Sequence, residues 1–271
     1  MQQPTNIQAL IIDMDGVLWE GNRALPGLHD FFKLLRKKQL PFILATNNAS
    51  LTQNQYITKL DNMGVSVSAN EILTSSIATA HYLSEQTRPE SCNIFVIGEE
   101  GLRQPLREKG FNLIDFYQST DGPIVDFVVC GLDRELTWSK MADATLHLRA
   151  GAKFIATNAD TSLPTERGPV LGNGAILAAL QAATQIAPAV IGKPGPIMYQ
   201  QAIKILAVEA ENTVAIGDRL DTDILGAVNT GIRSIMVLTG ISKEKDINKI
   251  KYQPTWIMSD LPAVTKALQF K

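Results

Sequence analysis

The sequence predicts an α/β protein, a doubly wound parallel-sheet core that carries an inserted α/β domain. Three observations lead there. Short apolar runs end abruptly in polar residues, as Ile7 to Ile12 does before Asp13 and Pro41 to Ala45 before Thr46. Such runs suit strands buried on both faces of a parallel sheet. Amphipathic stretches alternate with them, the signature of βαβ units. The alternation then restarts after a polar, proline-containing connector, Thr87 to Ser91. A chain of 271 residues, set against roughly 150 per domain, holds two domains: residues 1–86 with 187–271 as the core, and 87–186 as the insert.

Taken in order, Leu28 to Gln39 places Leu28, Phe31, Phe32, Leu34 and Leu35 on one helical stripe, and Pro41 ends it. After the second strand, Ser50 offers an N-cap for a helix over 51–63, with Gly64 as its stop. A strand over 71–74 and a helix over 76–86 close the first series. The second series reads as strands over 93–98, 124–130 and 153–157, with helices over 99–109, 137–150 and 175–185. Beyond it, 188–191, 213–216, 233–238 and 255–258 read as strands, separated by helices near 196–207, 221–229 and 261–269. Lys243 to Lys251 alternates in sign and reads as a solvated face.

Composition narrows the function. Hydrophobic residues make up 45%, and 25 Lys plus Arg nearly balance 27 Asp plus Glu, for a net charge of −2. That leaves no basic field for nucleic acid and no polybasic membrane patch, so a small molecule is the expected partner. Cys92 and Cys130 each adjoin an apolar run, which suits free buried thiols in a reducing compartment. No stretch approaches the roughly 18 apolar residues of a spanning helix. The N-terminus carries no basic leader, and a cytoplasmic location is expected.

The strand ends carry the chemistry. The first ends in Asp13 and Asp15, with Gly16 to turn the backbone, and the second in Thr46, Asn47 and Asn48. The strand before Gly192 leads to Lys193, and the one over 213–216 leads to Asp218, with Asp221 and Asp223 just beyond. If these four strands are neighbours in one parallel sheet, their ends meet in one crevice, where such sheets bind ligands. Thr46, Asn47 and Lys193 can donate to phosphate oxygens. Asp13, Asp15, Asp218 and Asp223 outweigh Lys193 by three charges, so a phosphate dianion needs a divalent cation there, and hard oxygen ligands favour Mg²⁺. Asp13 is then the candidate nucleophile and Asp15 the general acid and base. Asp218 is a metal ligand, Asp223 a ligand or an orienting group behind one, and Asp221 a helix cap. Trp19 and Met14 read as packing residues, and His29, His81 and His147 as incidental.

Asp13-Met14-Asp15-Gly16-Val17-Leu18-Trp19, Thr46-Asn47-Asn48, Lys193-Pro194 and Gly217-Asp218-Arg219-Leu220-Asp221-Thr222-Asp223 resemble the four ordered motifs of the haloacid dehalogenase superfamily. The resemblance is closest to its NagD-like branch of nitrophenylphosphatases and sugar phosphatases, and it spans the chain. It implies Mg²⁺-dependent hydrolysis of a small phosphorylated metabolite, with Asp13 as nucleophile and ligand. It further implies that Asp15 binds the metal through its backbone carbonyl, that Thr46, Asn47 and Asn48 bind phosphate, that Lys193 steadies the nucleophile, and that Asp218 completes the metal site. Residues 87–186 would be a cap that chooses the leaving group, with Asn158, Asp160 and the loop from Leu163 to Gly174 facing substrate. Cap surfaces in the family often pair, which points to a homodimer. Outside this reading stand a receiver-like phosphoacceptor, an idle binding protein, a phosphomutase and a dehalogenase. The length, the insert and the second acid, Asp15, argue against them.

Overall fold

The computed structural model describes residues 4–118, 122–165 and 167–269. The chain starts with β1 (Ala9–Ile12), β2 (Trp19–Glu20), β3 (Arg23–Ala24), α1 (Leu28–Lys38), β4 (Phe42–Thr46), α2 (Gln53–Asn62), β5 (Ile72–Thr74) and α3 (Ser75–Gln86). It continues with β6 (Asn93–Ile97), α4 (Glu100–Glu108), β7 (Asn112–Ile114), β8 (Phe127–Cys130), α5 (Trp138–Arg149), β9 (Lys153–Ala156), β10 (Ser162–Thr165), β11 (Gly168–Leu171), α6 (Asn173–Thr184) and β12 (Ala189–Val190). The last part holds α7 (Pro196–Leu206), β13 (Thr213–Gly217), a π-helical turn (Leu220–Ile224) running into α8 (Leu225–Thr230), β14 (Arg233–Val237), α9 (Glu244–Ile247), β15 (Trp256–Met258) and α10 (Leu261–Gln269).

Two compact units result. The first gathers Met1–Thr46, Gln53–Leu73 and Lys193–Lys271, and the second Asn47–Thr52 and Thr74–Gly192. The division falls before α3 instead of after it, so that helix goes with the second unit.

In the first unit a six-stranded sheet runs in the order β15-β14-β13-β1-β4-β5. The central strand, β1, is apolar and buried at every position, and it pairs in parallel with β13 on one side and β4 on the other. From β1 the chain winds one way through β4 and β5, and later the other way through β13, β14 and β15. The switch of direction lies between β1 and β13, the place where open α/β sheets bind ligands. Ile12 is in register with both Ile216 and Leu44, so these three strands end within two residues of one another at the same edge of the sheet.

The second unit has its own parallel sheet, β12-β9-β8-β6-β7, and an antiparallel hairpin of β10 and β11. Phe95, Ile97, Val128, Cys130, Phe154 and Ala156 from the sheet pack against Ala144 and Leu148 of α5 and Ile176, Leu177 and Leu180 of α6. Both cysteines are free and buried. Among the described residues no helix is long and apolar enough to cross a membrane.

Several local expectations give way. The strand before Gly192 is β12, and it pairs with β9 in the second sheet, so only three of the four strands expected side by side are neighbours. Ser50 does not cap α2; its N–H and hydroxyl both donate to Asn48 Oδ1, and the helix starts at Gln53. Asp221 is not the cap residue: it lies inside the π turn, whose N-cap is Arg219, and its carboxylate pairs with the Arg219 guanidinium. The charged run Lys243 to Lys251 hides Ile247 and Ile250, three residues apart, which pack on Leu220, Ile224 and Met236. The hairpins β2–β3 and β10–β11 and strand β7 are too short or too polar to have been read from periodicity.

Candidate active site

At the switch point β1 stops. The Asp13 N–H donates to Ile216 O, still in the ladder, and the next residues coil tightly as Val17, Leu18 and Trp19 N–H groups converge on Met14 O. Gly16 takes a left-handed φ of 81° there. Asp13 is thereby left at the rim with its carboxylate bonded to Lys193 Nζ. Lys193 is 3% exposed and also donates to Asp223 Oδ1 at 2.6 Å and to Ala45 O, at the end of β4, at 3.1 Å.

Two more acids complete the cluster. Asp223 sits on the π turn after β13; its second oxygen accepts the Arg219 N–H at 3.1 Å, and its backbone carbonyl accepts Tyr199 Oη at 3.1 Å. Asp218 directly follows β13 and is 1% exposed. Its Oδ2 accepts the Ile241 N–H at 2.6 Å, while its buried Oδ1 has no partner among the described residues. Two glycines make room for it: a Cβ on Gly16 would come within 2.7 Å of Asp218 Oδ2, and one on Gly240 within 1.9 Å.

Each of Asp13, Asp218 and Asp223 offers an oxygen within 4.8 Å of the others. Burial pushes the Asp218 carboxyl up to about 6, helped by the neighbouring charge of Asp223 and opposed by the Ile241 N–H. Burial likewise raises Asp13 well above the ordinary carboxylate range; Lys193 pulls it down, and Asp223 and Asp218 push it further up. For Lys193, burial acts to lower the ammonium's pKa, but the carboxylates of Asp13 and Asp223 outweigh it and hold the proton firmly. These residues fit a hard divalent cation such as Mg²⁺. Three oxygen donors converge, one of them is an orphan, and the carboxylates resist sharing a site unless another positive charge joins them.

The remaining expected residues divide between the units. Asp15 is exposed at the rim of the first, where its Oδ1 accepts the indole N–H of Trp19 at 2.8 Å. Thr46 is buried at the end of β4. Asn47 and Asn48 start the short segment that belongs to the second unit. There Asn47 O accepts from Ser75 Oγ and Asn158 Nδ2, and Asn47 Nδ2 donates to Asp160 Oδ2 at 3.2 Å. Asn158 is itself a strut: its Oδ1 accepts the Asp160 N–H, and its carbonyl accepts from Asn173 Nδ2 at 2.7 Å. Of the loop expected to face substrate, Glu166 lies outside the described residues.

Sequence reasoning passed over Gly240, Ile241 and Tyr199. The first two follow β14 and so obey the same strand-end rule that singled out Asp13 and Asp218. Tyr199 carried no signal, as an aromatic on a helix reads as core.

Residues 10–112 match the family described as haloacid dehalogenase-like hydrolase, and residues 190–264 a second one described as HAD-hydrolase-like. An acid sugar phosphatase of Staphylococcus saprophyticus is 37% identical over 264 residues, covering 97% of this chain and 99% of that one. Among solved structures, the p-nitrophenyl phosphatase of Archaeoglobus fulgidus superposes with a TM-score of 0.89 at 27% identity, over 96% of this chain and 99% of that one. The 4-nitrophenylphosphatase of Thermotoga maritima gives 0.89 at 35% identity, over 97% and 98%.

Proposed function

Because the chain belongs to the haloacid dehalogenase-like hydrolases, in their NagD-like, 4-nitrophenylphosphatase branch, we propose that it hydrolyses small phosphomonoesters with Mg²⁺ through an aspartyl phosphate on Asp13. The observation that carries the reading is the buried lysine. Lys193 bonds to Asp13, Asp223 and Ala45 O together, which orients one carboxylate at a strand end beside the orphan oxygen of Asp218.

The chain's own groups supply the steps. An Asp13 oxygen attacks phosphorus; as that bond forms, the ester P–O bond breaks, and the leaving oxygen keeps its electron pair and takes the proton of Asp15. Water then attacks the phosphorus of the aspartyl phosphate, gives a proton to the Asp15 carboxylate, and Asp13 departs as carboxylate with release of inorganic phosphate. Lys193 keeps Asp13 aimed and offsets charge throughout. Thr46, Asn47 and Asn48 are assigned to the phosphate oxygens. Asp13, Asp218 and the Asp15 carbonyl would hold Mg²⁺, with Asp223 behind them, and the bound cation would supply positive charge against the transferring group. The substrate class is a sugar phosphate, a nucleotide or an aryl phosphate, and leaving-group choice belongs to the second unit in the same proposal.

Steady-state assay with p-nitrophenyl phosphate tests this. Many equivalents of phosphate per chain are expected with Mg²⁺, none after chelation, and none from Asp13→Asn. Release that stops at one equivalent, or indifference to chelator, refutes the reading.

A further inference from the structure

Trp19 is completely buried, whereas Asp15 is exposed at the rim, and the two are joined by the indole N–H donating to Asp15 Oδ1 at 2.8 Å. A buried indole N–H needs an acceptor, and a backbone carbonyl would satisfy it as well. Here the acceptor is the carboxyl assigned to proton transfer. The ring itself is clamped. Tyr56 stacks on it with centroids 6.4 Å apart, Lys59 Nζ lies 4.3 Å from its centroid, and the Gly16 N–H bond to Trp19 O closes the loop between the two residues. A cation against the ring face withdraws electron density from the indole and makes its N–H a stronger donor.

We infer that Trp19 is a positioning residue for the general acid: its N–H occupies one oxygen of Asp15, fixes the plane of the carboxyl and leaves the other oxygen to carry the proton to the leaving group. The inference rests on the phosphatase reading above. An acid held in one orientation pays little entropy at the moment of transfer, and the benefit falls on substrates whose leaving oxygen must be protonated. An alkyl phosphate has such an oxygen. p-Nitrophenolate leaves without help.

The test compares kcat/KM, which covers the steps up to the aspartyl phosphate, for an alkyl phosphate (glycerol phosphate) and for p-nitrophenyl phosphate. The variants are Trp19→Phe and the isosteric replacement of the indole by benzothiophene, which removes only the N–H. Alkyl phosphate turnover is expected to fall about 10- to 100-fold, and p-nitrophenyl phosphate turnover by less than about threefold. Mg²⁺ affinity by calorimetry should stay at the wild-type value, which separates lost aim from a damaged metal site. Lys59→Met should give the same split at smaller size. Equal losses on both esters, no loss on either, or faster alkyl turnover in the benzothiophene variant overturns the role. If the benzothiophene variant alone folds, its ratio decides. Wild-type protein inactive on both esters removes the phosphatase reading, and this inference with it.

Discussion

Two buried polar networks, one in each unit, are built in opposite ways. In the second, Asn173 is 2% exposed and fully employed: its Nδ2 donates to Cys130 O and Asn158 O, and its Oδ1 accepts the Cys130 thiol. Asn158 is used up in the same manner. In the first, Asp13 and Asp223 share one lysine, an oxygen of the adjacent Asp218 has no partner among the described residues, and burial pushes Asp13 and Asp218 toward their protonated forms. A satisfied network builds structure. A cluster of buried carboxylates left electrostatically incomplete favours a further positive charge, which under the proposed function is the metal.

The largest expected effect comes from making the incomplete cluster worse. Lys193→Met leaves Asp13 and Asp223 buried with no cation, which should cost about 3–5 kcal/mol in denaturant unfolding of the metal-free protein. Under the proposed mechanism turnover should fall about 10³-fold or more, since Asp13 would lose its aim and the phosphoryl group a counter-charge. A variant with wild-type unfolding midpoint would mean that the lysine is not the keystone of the rim.

Both effects concern residues that were legible beforehand. Asp13, Asp15, Lys193, Asp218 and Asp223 stood out because acids and a lysine directly after apolar runs are out of place unless the runs are strands with a ligand at their ends. The parallel core was legible for the same reason, since β1 is apolar throughout and β4 and β13 are apolar but for Thr46 and Thr213 at their ends. Sheet membership was not. Ala189 and Val190 look like any buried strand, and nothing in two apolar residues says which sheet will take them. Backbone donors such as Ile241 N–H have no side-chain signature, and the glycines at 16 and 240 reveal their purpose only once Asp218 is seen against them. Trp19 packs as its sequence setting predicts, but an indole's hydrogen-bond partner is not written in its neighbours.

The next effect is on pH. The Asp218 carboxyl moves from an ordinary 3.8 to about 6 on folding, so between these values the folded protein binds more protons than the unfolded chain, and stability falls as pH rises. Asp218 by itself should therefore contribute a loss of up to about 3 kcal/mol between pH 4 and 6 in the metal-free protein, read as the difference from Asp218→Asn. Asp13 acts in the same direction. Mg²⁺ must bind carboxylates, so its affinity should climb over the same interval, and saturating Mg²⁺ should reverse the loss at pH 7. Unfolding midpoints at pH 4.5 and 7, with Mg²⁺ and with chelator, check both signs. A pH dependence across this interval no different from that of Asp218→Asn would place Asp218 in a far wetter environment than the structure gives it.

The smallest effect sharpens the comparison from the other side. Asn173→Ala removes a hub whose partners, Cys130 O and Asn158 O, stay behind in a buried setting, and stranded acceptors of this kind cost about 1–3 kcal/mol. The loss should appear in the unfolding free energy of the second unit, and Mg²⁺ affinity should be unchanged, because none of the lost bonds reaches Asp13, Asp218 or Asp223. A polar group that serves structure should change stability and leave metal binding alone, whereas Lys193 should change both. If Asn173→Ala weakens Mg²⁺ binding as strongly as it weakens the fold, buried polar satisfaction does not separate scaffold from site in this molecule.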